Sequence, residues 1–158
     1  MRITDATGAD FELLTAIWER AVRATHHFLS EEDIIRYRGL IRDTYLAQVE
    51  LYLAVEDDAV IGFMGMTPPE GKPGTGEAVP AKVVMLFVDP EHHGRGAGRS
   101  LLRHAEEKYG SLEVDVNEDN SGARIFYEKC GFAVFGRSAT DEQGDPFPLL
   151  HLRRLAAL

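Results

Sequence analysis

The sequence predicts an α+β domain, α/β-like in character, with a mixed central sheet flanked by helices. Three observations lead there. Apolar residues fall at helical spacing between Phe11 and Val22. The unbroken apolar run Val83-Val84-Met85-Leu86-Phe87-Val88 has the β-branched start and the length of a strand buried on both faces. Helix-like and strand-like segments then alternate through the second half. The predicted order is β-α-α-β-β-β-α-β-α-β-β.

Residues 1–5 read as a short first strand. Asp10 is placed as the N-cap of the first helix, whose inner stripe is Phe11, Leu14, Trp18, Ala21 and Val22. The break Thr25-His26-His27-Phe28-Leu29 follows. Ser30 and Asp33 stand as a capping box that opens a second helix to about residue 46. Residues 51–55 and 60–66 read as strands around an Asp57-Asp58 turn. Residues 68–79 hold adjacent prolines and several glycines, so a mobile loop is expected, neither helix nor strand. Asp89-Pro90 stops the apolar strand. A third helix is expected over 97–109, a strand over 112–117 and a fourth helix over 120–130, closed by Gly131. Residues 132–137 and 149–153 form the last strands around Gly144-Asp145-Pro146.

A chain of 158 residues is expected to be one domain, 1–158, with a core large enough to need no disulfide or structural metal. Its single cysteine, Cys130, allows no internal disulfide. The opening Met1-Arg2-Ile3-Thr4-Asp5 has no signal-peptide core, and no apolar run is long enough for a membrane span. A soluble cytoplasmic protein, not associated with membrane, is expected. The net charge of −9 argues against nucleic acid as a partner, because phosphate contacts need a basic face.

One stretch departs from that acidity. His93-Gly94-Arg95-Gly96-Ala97-Gly98-Arg99-Ser100 places three alternate glycines between a strand and a helix. Glycine lets the backbone turn tightly and bring its N–H groups against an anion. The helix N-terminus adds positive potential and unpaired donors. Arg95, Arg99 and Arg103 sit in a window from His92 to Ala105 that has no acid. The window suits a phosphate ligand. By itself, however, it is equally a glycine-rich turn with an exposed basic helix. Arg99 replaces the third glycine of the dinucleotide fingerprint, and the terminal Gly-Lys-Ser/Thr of a P-loop is missing. Asp115 lies where a ribose-binding acid would stand, yet a dinucleotide fold would open with the glycine motif rather than reach it after half the chain.

A second motif, Asn120-Ser121-Gly122-Ala123-Arg124-Ile125-Phe126-Tyr127-Glu128-Lys129-Cys130-Gly131-Phe132, follows one strand later. Together the two resemble the GNAT superfamily of N-acetyltransferases. Gly96 and Gly98 match its cofactor signature, with His93 where the family has Arg or Gln. Residues Asn120, Ala123, Phe126, Tyr127, Lys129, Gly131 and Phe132 match its second signature. Residues 24–30, Gly62-Phe63-Met64 and the stretches around Gly136-Arg137-Ser138 and Asp145-Pro146 look like the YjaB-type subgroup of small bacterial acetyltransferases. The loop at 68–79 looks longer than that subgroup carries.

The resemblance implies that acetyl-CoA is a co-substrate and that its acetyl group passes to a primary amine by direct attack in a ternary complex. The resemblance does not fix the acceptor; the acid-rich chain outside the basic window points to a cationic one, a small polyamine-like molecule or a lysine or N-terminal amine of a protein. Leu86, Phe87 and Val88 would offer backbone groups to the pantetheine arm and the acetyl oxygen. His93, Gly94, Arg95, Gly96, Ala97, Gly98 and Arg99 would hold the pyrophosphate, with Asn120 and Phe126 as further cofactor contacts. Tyr127 would be the acid that meets the departing CoA thiolate. Read from spacing alone, Tyr127 is a core residue of an apolar helix stripe and Asn120 is equally an N-cap. For the base, Asp115, His26 and His27 are candidates, beside a water relay with no dedicated base. No metal is expected, because adjacent histidines rarely ligate one ion. Cys130 reads as buried and inert. The acidic run Glu31-Glu32-Asp33 beside the acceptor region favours a cationic amine. A homodimer is left open. Two other readings compete: an acetyl-CoA-binding sensor or degenerate transferase, and a nucleotide-binding α/β protein.

Overall fold

The computed structural model describes residues 1–71 and 78–155. In chain order the elements are β1 (Arg2–Asp5), α1 (Phe11–Thr25), α2 (Glu31–Leu40), β2 (Glu50–Glu56), β3 (Ala59–Thr67), β4 (Glu70–Gly71), β5 (Ala78–Val79), β6 (Ala81–Val88), α3 (Ala97–Tyr109), β7 (Leu112–Asn117), α4 (Ser121–Lys129), β8 (Ala133–Ser138) and β9 (Leu149–Arg154). Seven strands join one sheet in the order β1-β2-β3-β6-β7-β9-β8. It is mixed: β6 and β7 run parallel, while β1-β2, β2-β3, β7-β9 and β8-β9 pair antiparallel. The expected order of strands and helices therefore stands, with one addition. Glu70 and Gly71 pair with Val79 and Ala78, so part of the stretch expected to lack strands forms a small ladder of its own. Its strands lie after the Pro68-Pro69 pair, where neither proline removes a ladder donor. The rest of that expected loop, 72–77, lies outside the described residues.

The chain divides into two compact units, Met1–Thr67 with Met85–His104, and Pro68–Val84 with Ala105–Leu158. The first is built on α1, whose Leu14, Ile17, Trp18 and Val22 are buried with Ile34, Ile41, Leu46, Leu53, Phe63 and Met85. That face follows from the apolar spacing along the helix. The cap differs from expectation. Asp10 lies in the helical region and makes no cap bond of its own; it is the third member of a capping box opened by Thr7, whose backbone N–H donates to Asp10 Oδ2 at 2.8 Å. Chain entry is thus one 3-10 turn earlier than the apolar pattern alone indicates. Ser30 and Asp33 form the expected box. The second helix ends early as an α-helix and continues as a π-turn, Ile41–Tyr45, and a 3-10 turn, Leu46–Gln48. The β2-β3 turn is the expected one: Asp57 and Asp58 both hold positive φ, 51° and 62°.

The strand expected to be buried on both faces is not. Ala81, Val83 and Met85 are buried, but Val84 is exposed and Leu86, Phe87 and Val88 are only half-buried. An apolar run reports hydrophobicity, not cover. In the second unit the alternation of β7 is as expected, with Leu112, Val114 and Val116 buried and Glu113, Asp115 and Asn117 half-buried.

β6 ends at an anchor that the sequence does not announce. Asp89 is buried, and its backbone N–H donates to Ile61 O on β3 at 2.8 Å. Arg20 of α1 donates to Asp89 Oδ2 at 2.6 Å, and the N–H of Glu91 donates to Oδ1 at 3.2 Å. The Arg20 guanidinium holds the carboxyl below its usual range; burial opposes it, and the Glu91 N–H adds to it. Because the folded pKa is depressed, the stabilisation is complete above the unfolded value near 4 and is lost as pH falls through the lower folded value. Replacing Arg20 by Met should destabilise the fold at neutral pH by about 1–3 kcal/mol, the penalty for a buried polar group that loses a partner. It should also flatten the loss of thermal stability below about pH 4, as read from Tm against pH. An unchanged acid limb would mean that another carboxylate governs it.

Candidate active site

The glycine motif folds as a built turn. Asp89 caps the 3-10 turn Pro90–His92, which carries Pro90 at its start. His93 then turns back, its Nε2 lying 3.2 Å from Val88 O. Gly94 and Gly96 hold φ of +80° and +82°, a region that side chains with a Cβ rarely enter. No atom would lie within 4 Å of a Cβ built on either, so their requirement is conformational and the space beside them is open. The first bond of α3 is Ser100 N–H to Gly96 O at 3.0 Å, which leaves the N–H groups of Ala97, Gly98 and Arg99 with no intrahelical acceptor. Arg95 and Arg99 are exposed. Open space, unpaired helix donors and two exposed arginines converge, so the residues fit a pyrophosphate.

Other groups near the turn were not legible beforehand. Arg95 is 3.7 Å from Glu56 Oε1 at the end of β2. Glu56 Oε2 and His92 Nδ1 are buried without a hydrogen-bond partner among the described residues. Gly62 on β3 allows close approach to β6: a Cβ there would lie 2.9 Å from Phe87 O and 3.3 Å from Val88 Cα. The sequence marked Gly62 only as part of a likeness. Its role depends on a neighbouring strand far away in the chain.

The base candidates fare unequally. His26 caps α1 through its N–H to Val22 O at 2.7 Å, and its Nδ1 lies 2.7 Å from Thr25 Oγ1. Burial first, and the neighbouring His27 second, push its pKa down to about 4. His26 is therefore neutral at pH 7, but its imidazolium is too acidic to hold a proton taken from an amine. His27 is exposed. In the second unit, Asp115 has both oxygens engaged, Oδ2 by Lys82 Nζ and Oδ1 by His151 Nδ1, each at 2.6 Å. The acidic run is also engaged: Glu31 pairs with Arg23 at 2.6 Å and the Asp33 carboxylate accepts from Ser30 N–H at 3.0 Å, leaving Glu32 exposed.

Asn120 caps α4, its Oδ1 accepting from Ala123 N–H at 3.1 Å. Tyr127 is buried between Phe126 and Phe132, edge-on to both at 5.2 and 5.3 Å. Burial first and Cys130 second raise its pKa above the ordinary phenol value. It stays protonated at any working pH, so its hydroxyl keeps a hydrogen to donate. Cys130 is half-buried rather than buried. No cluster of metal-ligating side chains occurs among the described residues.

Residues 47–134 match the Acetyltransferase (GNAT) domain family. The chain belongs to the GNAT acetyltransferase family. Like other GNAT enzymes it moves an acetyl group from acetyl-CoA to an amine. Two relatives called Peptidyl-lysine N-acetyltransferase YjaB are each 42% identical. The one from Salmonella typhimurium covers 89% of this chain and 89% of its own length, and the one from Escherichia coli covers 92% and 91%. The solution structure of apo-form YjaB from Escherichia coli superposes with a TM-score of 0.80 at 38% identity, over 99% of this chain and 100% of that one. A PaiA N-acetyltransferase from Thermoplasma acidophilum, solved with coenzyme A, shares the fold with a TM-score of 0.74 at 21% identity, over 98% of this chain and 99% of that one. No described helix of this GNAT chain is long and apolar enough to cross a membrane.

The left-handed Gly96 supplies a direct check of the glycine turn as a cofactor site. Gly96→Ala should destabilise the protein by about 1–2 kcal/mol, the strain of a Cβ at that φ. It should also weaken acetyl-CoA binding, measured by calorimetry on the folded variant. Unchanged affinity would mean that the turn is structural only.

Proposed function

We propose that this enzyme acetylates lysine side chains of peptides or proteins. The observation that carries the reading is the 42% identity to peptidyl-lysine acetyltransferases over nearly the whole of both chains. The net charge of −9 supports it, since an acidic surface attracts a cationic amine at low ionic strength. In this reading the glycine turn of residues 93–99 binds the pyrophosphate of acetyl-CoA. The backbone of Leu86, Phe87 and Val88 runs beside the pantetheine arm.

The amine attacks the thioester directly, with no acetylated enzyme. Cys130 lacks the flanking dyad of a low-pKa nucleophile in sequence. Its neighbour Tyr127 serves as a hydrogen-bond donor to the thiolate as it leaves. Two facts support that role: its place in the family signature, and a hydroxyl with no hydrogen-bond partner among the described residues. A raised phenol pKa disfavours full proton transfer, so donation of a hydrogen bond fits better. Water takes the amine proton. His26 is too weak a base, and Asp115 is occupied.

Incubation with acetyl-CoA and Nα-blocked lysine peptides should release CoA thiol and acetylate the lysine side chain, as mapped by mass spectrometry. Preference for a free polyamine, or for an N-terminal amine over lysine, would overturn the substrate reading. Separately, Tyr127→Phe should keep acetyl-CoA affinity and lower kcat by about 10²-fold. Cys130→Ala should remain within a few-fold of the parent. The reverse pattern, with ping-pong kinetics, would require a covalent mechanism instead.

A further inference from the structure

A polar row crosses one face of the sheet within the second unit. Lys82 on β6 bonds Asp115 on β7, Asp115 bonds His151 on β9, and His151 bonds Ser138 on β8. The register assembles it. Asp115 is the direct cross-strand partner of His151, and His151 is the partner of Gly136, two residues before Ser138 on the same face. Gly136 faces the imidazole: a Cβ there would stand 3.4 Å from His151 Cδ2, in ordinary contact. The ring reaches past it to Ser138 Oγ, 2.6 Å from Nε2.

The proton positions follow from the partners. The Asp115 carboxylate, paired with the Lys82 ammonium, can only accept. His151 Nδ1 must therefore carry the hydrogen in that bond. In the neutral ring Nε2 is then an acceptor, and the Ser138 hydroxyl donates to it. A serine hydroxyl on an imidazole base, oriented by a carboxylate, is the arrangement of a nucleophile ready to lose its proton. Burial works against the Lys82 charge, yet Asp115 and Glu142 outweigh it and raise its pKa, which keeps the ammonium that holds Asp115 in place.

We propose that Ser138 is an activated nucleophile that takes an acyl group from an activated ester. Ser138 Oγ attacks the carbonyl carbon while its proton passes to His151 Nε2. The bond from carbon to the leaving oxygen breaks, and that oxygen takes the proton from His151. Ser138 is left as an acyl ester, which water then cleaves by the same relay. The acyl group is apolar, because Phe135 is the extra residue of a β-bulge, exposed, with its ring 6.2 Å from that of His151. Ser138 and His151 are both partly accessible, as a nucleophile and its base must be.

The test is site-mapped labelling of the native enzyme by an alkyl fluorophosphonate, with p-nitrophenyl butyrate as the ester. Native protein should carry the phosphonyl group on Ser138, and protein unfolded in denaturant should not. A burst of p-nitrophenol, stoichiometric with enzyme, should disappear in Ser138→Ala. His151→Gln and Asp115→Asn should slow labelling by about 10²-fold, the usual worth of a positioned base. An unlabelled Ser138 in native wild-type protein would overturn the proposal without reliance on any variant. So would labelling that is equal in native and unfolded protein, or undiminished in a folded His151→Gln; the row would then be a structural ladder.

Discussion

The glycine turn before α3 depends on where β6 is made to stop, and that point is Asp89. Three bonds of different kinds meet there: a backbone bond to β3, a side-chain cap on the next turn and an ion pair from α1. Each fixes a different degree of freedom. The backbone bond sets the end of the strand, the cap sets the direction of the chain, and Arg20 ties both to the first helix. Only with that entry fixed do the left-handed Gly94 and Gly96 aim the N-terminus of α3 at open space. The burial of Asp89 matters because a buried carboxylate is tolerated only when it is paired.

The second constraint is close approach. Gly62 lies against the backbone of Phe87 and Val88, and Gly65 against the side chains of Val49 and Met85. At Gly62 the β3-β6 contact has no room for a side chain, so the approach of residues 87 and 88 depends on what is missing from β3; at Gly65 an added Cβ would press on Val49 and on the flexible end of Met85. This is a different use of glycine from that in the turn, where space is ample and only φ is demanding. The two uses cannot be told apart in a sequence, because both read simply as glycine.

Electrostatics divides the molecule by task. The first helices carry a network in which Glu19 bridges Arg23 and Arg38, and Arg23 also holds Glu31. Charges spent on each other steer a substrate weakly, so the acidic run beside the His26-His27 break contributes less field than its composition implies. His26 and Tyr127 show the effect of burial on two groups of opposite type. The imidazole is held in its neutral state and the phenol in its protonated state, so neither changes charge near neutral pH.

The sequence by itself determined the family and the order of the seven main strands and four helices. It also determined the glycine turn, the Ser30 capping box, the Asp57-Asp58 hairpin and the α4 motif that includes Tyr127. These are local: each depends on residues a few positions apart, and backbone sterics or hydrogen bonds to near neighbours enforce them. Tertiary structure alone decided which side of the 83–88 run is covered and which acids are free. It alone brought Arg20 to Asp89, Glu56 to Arg95, and Ser138 to His151 and Asp115. Those pairings join residues 13 to 69 positions apart in the chain. Cross-strand register and helix packing set them, and no pattern along a single segment encodes register with a distant strand.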